Sequence, residues 1–186
     1  MSIALSAELW AGTVANDGTG AIDTFFNIEN LTGGSGNDLL SGNFAANRVE
    51  GGAGNDNMFG QEGNDTLVGG LGNDSLNGGA GSDQFVFDTA LNGTSNVDSI
   101  VDFTANIDRI MIDDAIFTGL LAGGLNAANF IANVGGTAGD TNDFIVYNST
   151  TGDLFFDVDG SGGVAAVRFA ALTTHPAITA ADFTVI

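Results

Sequence analysis

A nine-residue period that runs without interruption through residues 33–86 limits the folds open to this chain more than any other feature of its sequence. Aspartate occupies the sixth position in five of the six units, and the eighth position is apolar in all of them. Two upstream blocks keep the same apolar register with Ile22 and Leu31. Such a fixed short period is typical of a solenoid in which neighbouring units stack. The six units, which begin at residues 33, 42, 51, 60, 69 and 78, are GGSGNDLLS, GNFAANRVE, GGAGNDNMF, GQEGNDTLV, GGLGNDSLN and GGAGSDQFV.

Each unit divides into a glycine-rich loop and a short strand with one inward apolar side chain. Two successive units would complete one coil, with a strand on each face and a turn at each end. Stacked coils would pair their strands in parallel, and the side chains at position eight would fill the interior. The pattern therefore predicts an all-β fold, a parallel β-roll of nonapeptide repeats. Turns of alternate units would stack on the same edge, with Asp38, Asp56 and Asp74 on one edge and Asn47, Asp65 and Asp83 on the other.

The stacked turns create an electrostatic problem whose solution indicates a metal ion. Carboxylates on neighbouring coils would lie roughly 4.8 Å apart, about one strand spacing, and would repel each other. A hard divalent cation between them would take carboxylate oxygen from two coils and carbonyl oxygen from the glycines. Calcium accepts roughly six to eight such oxygens, whereas magnesium prefers a tight octahedron, and the chain has no cysteine and one histidine for softer metals. We therefore predict several calcium ions, held by Gly34, Gly36, Asp38, Gly52, Gly54, Asp56, Gly63, Asp65, Gly70, Gly72, Asp74, Gly79, Gly81 and Asp83.

The predicted sites should differ in quality along the array. The turns at 33 and 51, at 51 and 69, and at 60 and 78 form the best pairs. The unit at residue 42 has Asn47 in place of aspartate and lacks most of the glycines, so its pair with the unit at 60 should hold calcium weakly or not at all. A simpler interpretation is that the aspartates only cap glycine turns through backbone hydrogen bonds, but turn chemistry alone does not explain their recurrence in phase.

The composition disfavours several kinds of partner. The chain has 23 acidic residues, only three basic residues and a formal net charge of -20. Nucleic acid and anionic membrane surfaces are poor partners for such a field. No apolar run approaches the roughly 18 residues that span a bilayer, so we expect no membrane span. The first residues lack the basic region of a signal peptide, so if the protein leaves the cell, we expect its export signal not to be an ordinary amino-terminal one.

Candidate catalytic residues are scarce. His175, the single histidine, lies in the sequence TTHPA, which is typical of an exposed loop. With one histidine in such a position, the chain has no zinc motif and no credible catalytic triad. The stretch DVDGSG at residues 157–162 is better explained as a polar turn than as a calcium loop. Asp98, Asp102 and Asp108 could reach calcium at the end of the roll, or could be solvated acids at strand edges. We therefore predict no catalytic residue in this chain.

The repeat units resemble the RTX (repeat-in-toxin, haemolysin-type) nonapeptide GGxGxDxUx. This resemblance implies a calcium-filled parallel β-roll in a secreted, extracellular bacterial protein that is exported by a type I secretion transporter. The stretches GSDQFVFDTA, VDSIVDFTANIDRIMI, IVYNSTTGDLFFDVDGSG and ITAADFTVI are similar to the region after the repeats in serralysin-like proteins. That similarity implies a β-rich C-terminal cap and an uncleaved C-terminal export signal. The predicted domains are N-terminal strands or a cap leading into the roll at 1–32, the calcium-binding roll at 33–88 and the β-rich cap with the secretion signal at 89–186.

These features favour a secreted calcium-binding module that folds when it meets calcium after export. Two other classes stay open. The chain could be the C-terminal part of a secreted protease or polysaccharide-modifying enzyme, in which case catalysis would belong to the larger parent. It could also be a surface or matrix protein that binds glycan or associates with itself.

Overall fold

The computed structural model describes residues 6–8, 13–16, 23–24, 28–160 and 163–186. Its regular structure is almost entirely β, and the described helices are two short 3-10 segments, Ala127–Asn129 and Ala180–Asp182. No helix in this part of the chain is long and apolar enough to cross a membrane. Up to the end of the repeats the strands are β1 (Ser6–Glu8), β2 (Thr13–Asn16), β3 (Asp23–Thr24), β4 (Asn30–Ser35), β5 (Leu39–Ser41), β6 (Arg48–Ala53), β7 (Asn57–Phe59), β8 (Thr66–Leu71), β9 (Ser75–Asn77) and β10 (Gln84–Phe87). Beyond the repeats they are β11 (Asp98–Ile100), β12 (Arg109–Ile112), β13 (Gly123–Gly124), β14 (Phe130–Asn133), β15 (Ile145–Asn148), β16 (Asp153–Phe156), β17 (Val167–Leu172) and β18 (Phe183–Val185).

Strands of the repeat region alternate between two parallel sheets. β4, β6, β8 and β10 pair in one sheet, and β5, β7 and β9 pair in the other. Residues one coil apart lie opposite each other, as Val49 opposite Leu67 and Leu40 opposite Met58. The predicted parallel β-roll is therefore confirmed, with two repeat units to each coil.

The interior of the roll is filled by the side chains at position eight of the repeat. All six of them are fully buried, and Leu31 from the upstream block packs against the same core. The corresponding Ile22 lies outside the described residues. Since each coil supplies two inward side chains, burial comes from stacking coils and no coil could bury them alone. The six residues are Leu40, Val49, Met58, Leu67, Leu76 and Phe85.

Parallel stacking continues past residue 88, where the repeat ends. β11 pairs with β9, and β12 pairs with β10. In the next layer, β17 pairs with β11 and β18 pairs with β12, also in parallel. Ile100, Ile110 and Ile112 are fully buried and continue the apolar interior. Two further layers of the roll are thus built from sequence that has no glycine repeat. Over the described residues the strands form one sheet of 11 strands and one of 7 strands.

The C-terminal region adds an antiparallel extension to this stack. β15 and β16 form a hairpin around residues 149–152, and β16 pairs antiparallel with β17. Asp153 and Arg168 form an ion pair of 2.6 Å across the second of these pairings. Phe117 packs edge-on against Phe156 and Phe169, with ring centroids 5.1 and 5.0 Å apart. The β-rich C-terminal cap predicted from the sequence is therefore present.

The N-terminal strands are part of the same assembly. β1 pairs in parallel with β5, and Ala7 lies opposite Leu40 and is fully buried. β2 and β3 continue this sheet with antiparallel pairings. The predicted boundary at residue 32 falls inside β4, a strand that pairs with β6 along the roll. Both ends of the array therefore merge with the flanking sequence, and the three-domain division stays a prediction.

Candidate metal centre

The glycine turns bring the backbones of neighbouring coils into direct contact. Gly52 and Gly54 have φ angles of 104° and 133°, which side chains of L-residues rarely adopt. A Cβ on Gly52 would also collide with the carbonyl oxygen of Gly34 in the preceding coil. Only glycine satisfies both the backbone angle and the contact. The other glycines predicted from the sequence share positive φ: Gly34, Gly36, Gly63, Gly70, Gly72, Gly79 and Gly81.

The aspartates at position six form a row along each edge of the roll. The backbone N–H of Asp38 donates to Asp56 Oδ1 at 2.8 Å, and that of Asp56 donates to Asp74 Oδ1 at 2.8 Å. On the opposite edge Asn47 and Asp65 donate to Asp65 and Asp83 in the same way, at 2.7 and 2.9 Å. Each partner lies 18 residues away in sequence. The edge assignment made from the sequence is therefore correct, and one carboxylate oxygen does cap the neighbouring turn.

The second carboxylate oxygen is left for another partner. Oδ2 of Asp56, Asp65 and Asp74 is buried and accepts no hydrogen bond. A buried carboxylate oxygen without a donor is costly, because it has lost water and gained nothing in return. Backbone capping alone therefore does not account for these aspartates.

Carbonyl oxygens of the next coil face the same space. A Cβ added to Gly51 would collide with Asp56 Oδ2 and would lie 2.6 Å from the carbonyl oxygen of Gly69. Gly60 is surrounded in the same way by Asp65 Oδ2 and by the carbonyl oxygen of Gly78, at 2.5 Å. The first glycine of a unit thus leaves room beside a carboxylate oxygen and a carbonyl oxygen. Such an all-oxygen set suits a hard cation of adaptable coordination, as calcium is.

Carboxylates alone do not complete a metal shell at these turns. Among the described residues no group of three or more His, Cys, Asp or Glu side chains is placed to hold one metal ion. An ion between two coils would therefore depend on backbone carbonyl oxygen and water for the rest of its ligands. This dependence explains why glycine, which exposes the backbone, recurs with aspartate.

Burial makes the charged form of these aspartates unfavourable without a cation. The pKa of Asp65 is raised to about 6, chiefly by burial and further by the charge of Asp83, although a hydrogen bond from the Asn47 backbone opposes the shift. Burial also raises the pKa of Asp74 to about 6, and the pKa values of Asp56 and Asp83 are raised for the same main reason. A bound divalent cation would offset this penalty.

The unit at residue 42 differs from the others in the way its sequence predicted. Asn47 keeps its place in the row and is buried, but its Nδ2 has no hydrogen-bond partner. Its Oδ1 accepts a hydrogen bond from the backbone of Asn43 at 2.7 Å. Beside Gly42 the turn thus presents this neutral amide oxygen, where the other units present a charged carboxylate oxygen.

Two aspartates beyond the repeats extend the rows. Asp98 Oδ1 accepts from the backbone of Asp74, and Asp108 Oδ1 from that of Asp83, both at 3.0 Å. Asp98 and Asp108 are 5% and 4% exposed, so the interpretation as solvated acids is wrong for both. The spacing from aspartate to the next buried isoleucine, Asp98 to Ile100 and Asp108 to Ile110, repeats the spacing of the nonapeptide and could have identified them. Asp102 instead caps the turn at Gly78 and Gly79.

The asparagines at position five form a further row that sequence reasoning missed. The backbone N–H of Asn55 donates to Asn37 Oδ1 at 2.8 Å, and that of Asn73 donates to Asn55 Oδ1 at 2.9 Å. On the other edge Ser82 donates to Asn64 Oδ1 at 2.9 Å. The recurrence of asparagine before the aspartate was the available signal. These amides hold successive turns in register beside the carboxylates.

The remaining candidates lie elsewhere. His175 is exposed in a loop, as expected. Asp157 accepts hydrogen bonds from the backbones of Asp159 and Gly160 at 3.3 and 3.2 Å, which is the arrangement of a capped turn. Ser161 of the same stretch lies outside the described residues.

Comparison with known proteins agrees with this geometry. Residues 27–58 and 59–89 match the family model of the RTX calcium-binding nonapeptide repeat (4 copies). No curated protein matches the chain. The match ends at residue 89, so the serralysin-like resemblance of the C-terminal region stays a prediction.

Among the solved structures that share the fold are two subunits of one enzyme. The AlgE6R2 subunit of the Azotobacter vinelandii mannuronan C5-epimerase is 23% identical, with a TM-score of 0.55, over 82% of this chain and 90% of that one. The AlgE6R3 subunit of the same enzyme is 24% identical, with a TM-score of 0.51, over 84% of this chain and 79% of that one. Both similarities extend well beyond the repeats, and they support the all-β roll architecture.

Proposed function

We propose that this chain, whose residues 27–89 are RTX calcium-binding nonapeptide repeats, is a secreted module that folds when it binds calcium outside the cell. The observation that carries the proposal is the row of buried carboxylate oxygens without donors, at Asp56, Asp65 and Asp74, beside glycine carbonyl oxygens. Such a row is unfavourable without a cation and favourable with one. Binding and folding should therefore be a single event.

The ions should lie between turns of the same edge. We assign one site between the turns at 33 and 51, one between those at 51 and 69, and one between those at 60 and 78. Asp38, Asp56, Asp65, Asp74 and Asp83 would supply carboxylate oxygen. The backbone oxygens would come from the glycines of the turns, Gly34, Gly36, Gly52, Gly54, Gly63, Gly70, Gly72, Gly79 and Gly81. The pairing of the turns at 42 and 60 is left out because Asn47 offers no carboxylate.

No single ion would hold the roll together. With dissociation constants of roughly 0.1 to 1 mM, as in extracellular calcium modules, about 1 mM calcium contributes on the order of 0.4 to 1.4 kcal/mol per site. Ordering the glycine-rich turns costs more than that, since glycine loses the most backbone freedom on folding. Several sites must therefore fill together, and folding should depend steeply on calcium.

A calcium titration of the full chain followed by far-ultraviolet circular dichroism tests the proposal. We expect a weakly structured spectrum in EGTA and a cooperative change to a β spectrum as calcium rises. Magnesium at the same concentration should not produce the change, because it keeps its water and its tight octahedron. A spectrum that is unchanged by EGTA would contradict the proposal.

Export through a type I transporter fits this calcium dependence. A cytoplasm low in calcium would keep the turns unfolded for passage, and higher calcium outside would fold them. The signal would be the segment at 178–186, which forms the last 3-10 segment and β18 in the folded chain. It would therefore be read before folding.

A second candidate function is that of a module within a larger enzyme that modifies a polysaccharide. The observation in its favour is the shared fold with two subunits of a mannuronan C5-epimerase. A polymer of uronic acid is itself anionic, so a chain of net charge -20 should bind it only with calcium present. Affinity electrophoresis of the full chain in a mannuronan gel, with calcium and with EGTA, tests this candidate, and equal mobility in gels with and without the polymer would argue against it. Self-association, the third class, would appear as calcium-dependent oligomers in light scattering.

A further inference from the structure

We propose that the roll binds one more calcium ion beyond its last glycine repeat, between Asp74 and Asp98. This inference rests on the proposed function, because it extends calcium binding to a coil outside the nonapeptide array. Asp98 begins β11 and lies outside the residues 27–89 that match the repeat family. The site would therefore be invisible to a search for the glycine-rich motif.

The position of Asp98 continues the aspartate row. Its Oδ1 accepts the backbone N–H of Asp74 at 3.0 Å, as Asp74 Oδ1 accepts that of Asp56 at 2.8 Å. β11 lies beside β9 in the register of a further coil, with Ile100 opposite Leu76. Asp98 is thus the structural equivalent of a position-six aspartate.

The oxygen-lined space is present again beside Gly69, with one of its oxygens supplied by a different group. A Cβ on Gly69 would collide with Asp74 Oδ2 and would lie 3.0 Å from Asp98 Oδ2. At Gly51 the corresponding second oxygen is a backbone carbonyl, that of Gly69. Asp74 Oδ2 is buried and accepts no hydrogen bond, so it is available to a cation in this space. Beside Gly69 a carboxylate oxygen takes the place of a carbonyl oxygen, so this space is more anionic than the space beside Gly51.

Side chains rebuild the turn that glycine forms elsewhere. Gly54 donates its N–H to the carbonyl of Leu71 at 2.8 Å, whereas Gly72, its equivalent in the next coil, donates to Asn96 Oδ1 at 2.8 Å. Nδ2 of Asn96 in turn donates to Thr89 Oγ1 at 3.0 Å and to the carbonyl of Ala90 at 3.2 Å. Asn96, two residues before Asp98, therefore fixes the approach of this loop to the last glycine turn of the edge.

The opposite edge ends differently. Asp108 accepts the backbone N–H of Asp83 on Oδ1 at 3.0 Å and that of Thr104 on Oδ2 at 2.7 Å. Both of its oxygens are thus engaged by backbone donors, and its row ends in a hydrogen-bonded cap. We assign the additional ion to the Asp98 edge alone.

Native mass spectrometry of the full chain at saturating calcium tests the site, because it counts the ions on compact molecules. Asp98→Asn keeps the acceptor for the Asp74 backbone but removes the charge. Gly69→Ala keeps both carboxylates but fills the space between them. We expect each variant to bind one ion fewer than the wild-type chain. Asp88→Asn removes the same charge from an exposed position outside both rows, and it should bind the wild-type number.

Each outcome of this experiment supports or overturns the additional calcium site. A wild-type count in Asp98→Asn or in Gly69→Ala would overturn the additional site while leaving the proposed function intact. A wild-type chain that binds no calcium would refute the proposed function itself. If Asp98→Asn gives no compact molecules, Gly69→Ala supplies the count. If neither variant becomes compact in excess calcium, these positions hold the fold and not an ion, and the inference is wrong.

Discussion

Asp182, just before the final strand, accepts a hydrogen bond of 2.6 Å on Oδ1 from the backbone N–H of Asn106, in the loop between β11 and β12. Its Oδ2 accepts the backbone N–H of Thr179 at 2.7 Å, and the side chain is fully buried. These bonds fasten the C-terminal segment to the last layers of the roll. The segment therefore cannot be part of the fold and an extended export signal at the same time.

Deletion of residues 183–186 should separate export from calcium binding. The truncated chain should no longer leave a host that has a matching type I transporter, because the proposed signal is incomplete. In the described part of the chain β18 pairs with β12 and β13 and with no strand of the repeats, so the turns at 33–83 should keep most of their calcium affinity. Secretion is measured in the culture medium and affinity by titration of the purified chain. Continued secretion would refute the signal, whereas loss of calcium-induced folding would assign the segment a structural role only.

Asp56→Ala should weaken calcium-induced folding far more than Asn47→Ala. Asp56 lies between Asp38 and Asp74 in its row and would serve two ions. Loss of two ions should cost on the order of 1 to 3 kcal/mol at about 1 mM calcium. Asn47 lies in the turn without a carboxylate and serves none. The measurement is the calcium midpoint by circular dichroism, and equal shifts in the two variants would show that the pairing of turns is wrong.

Acid should partly replace calcium. The pKa values of Asp65 and Asp74 are about 6 in the ion-free fold and that of Asp98 is about 8, each raised chiefly by burial, against about 3.9 for aspartate in an unfolded chain. Because the folded state holds these protons more tightly, its stability is greatest below about pH 4 and is lost as the pH rises through 6 and then 8. In calcium-free buffer, with the ion removed beforehand by dialysis, lowering the pH from 7.5 to 4.5 should therefore increase β structure in circular dichroism.

A matched variant checks the cause of this pH dependence. Asp65→Asn combined with Asp74→Asn replaces two titrating carboxylates with neutral amides of the same shape. The variant should gain less structure on acidification than the wild-type chain. An unchanged response would mean that other acids control it.

Gly52→Ala should be strongly destabilising in excess calcium, whereas Gly124→Ala should be nearly neutral. Gly52 has a φ of 104° and its added Cβ would meet the Gly34 carbonyl, while a Cβ on Gly124 meets nothing within 4 Å. Strain of this kind costs about 1 to 3 kcal/mol before the collision is counted. Urea denaturation of both variants measures the difference. Equal midpoints would show that the turn can relax around a side chain.

The roll was predictable because every repeat unit carries two signals in a fixed register. One is the glycine and aspartate pattern of its turn, and the other is its inward apolar side chain. Beyond residue 89, side chains make the contacts that the glycine turns make within the repeats. Asn96 stands in for a backbone carbonyl, and Asp98 and Asp108 keep the row without any glycine, so the two-residue spacing from aspartate to isoleucine was the one signal for them. The parallel pairing of β17 and β18 with strands far earlier in the chain also left no local pattern. Pairings of that kind depend on the whole tertiary structure.

Within the repeats, each hydrogen bond of the aspartate rows joins residues 18 apart, so removal of whole repeat units keeps equivalent positions opposite each other. Removing residues 51–68 would take out one complete coil, and every later turn would stay on its own edge above an equivalent neighbour. Removing one unit would also leave equivalent neighbours in each row, but the following turns would change edge relative to the strands before the deletion. The number of ions in such a protein can therefore be adjusted by whole coils, with the same C-terminal closure serving a shorter or a longer roll.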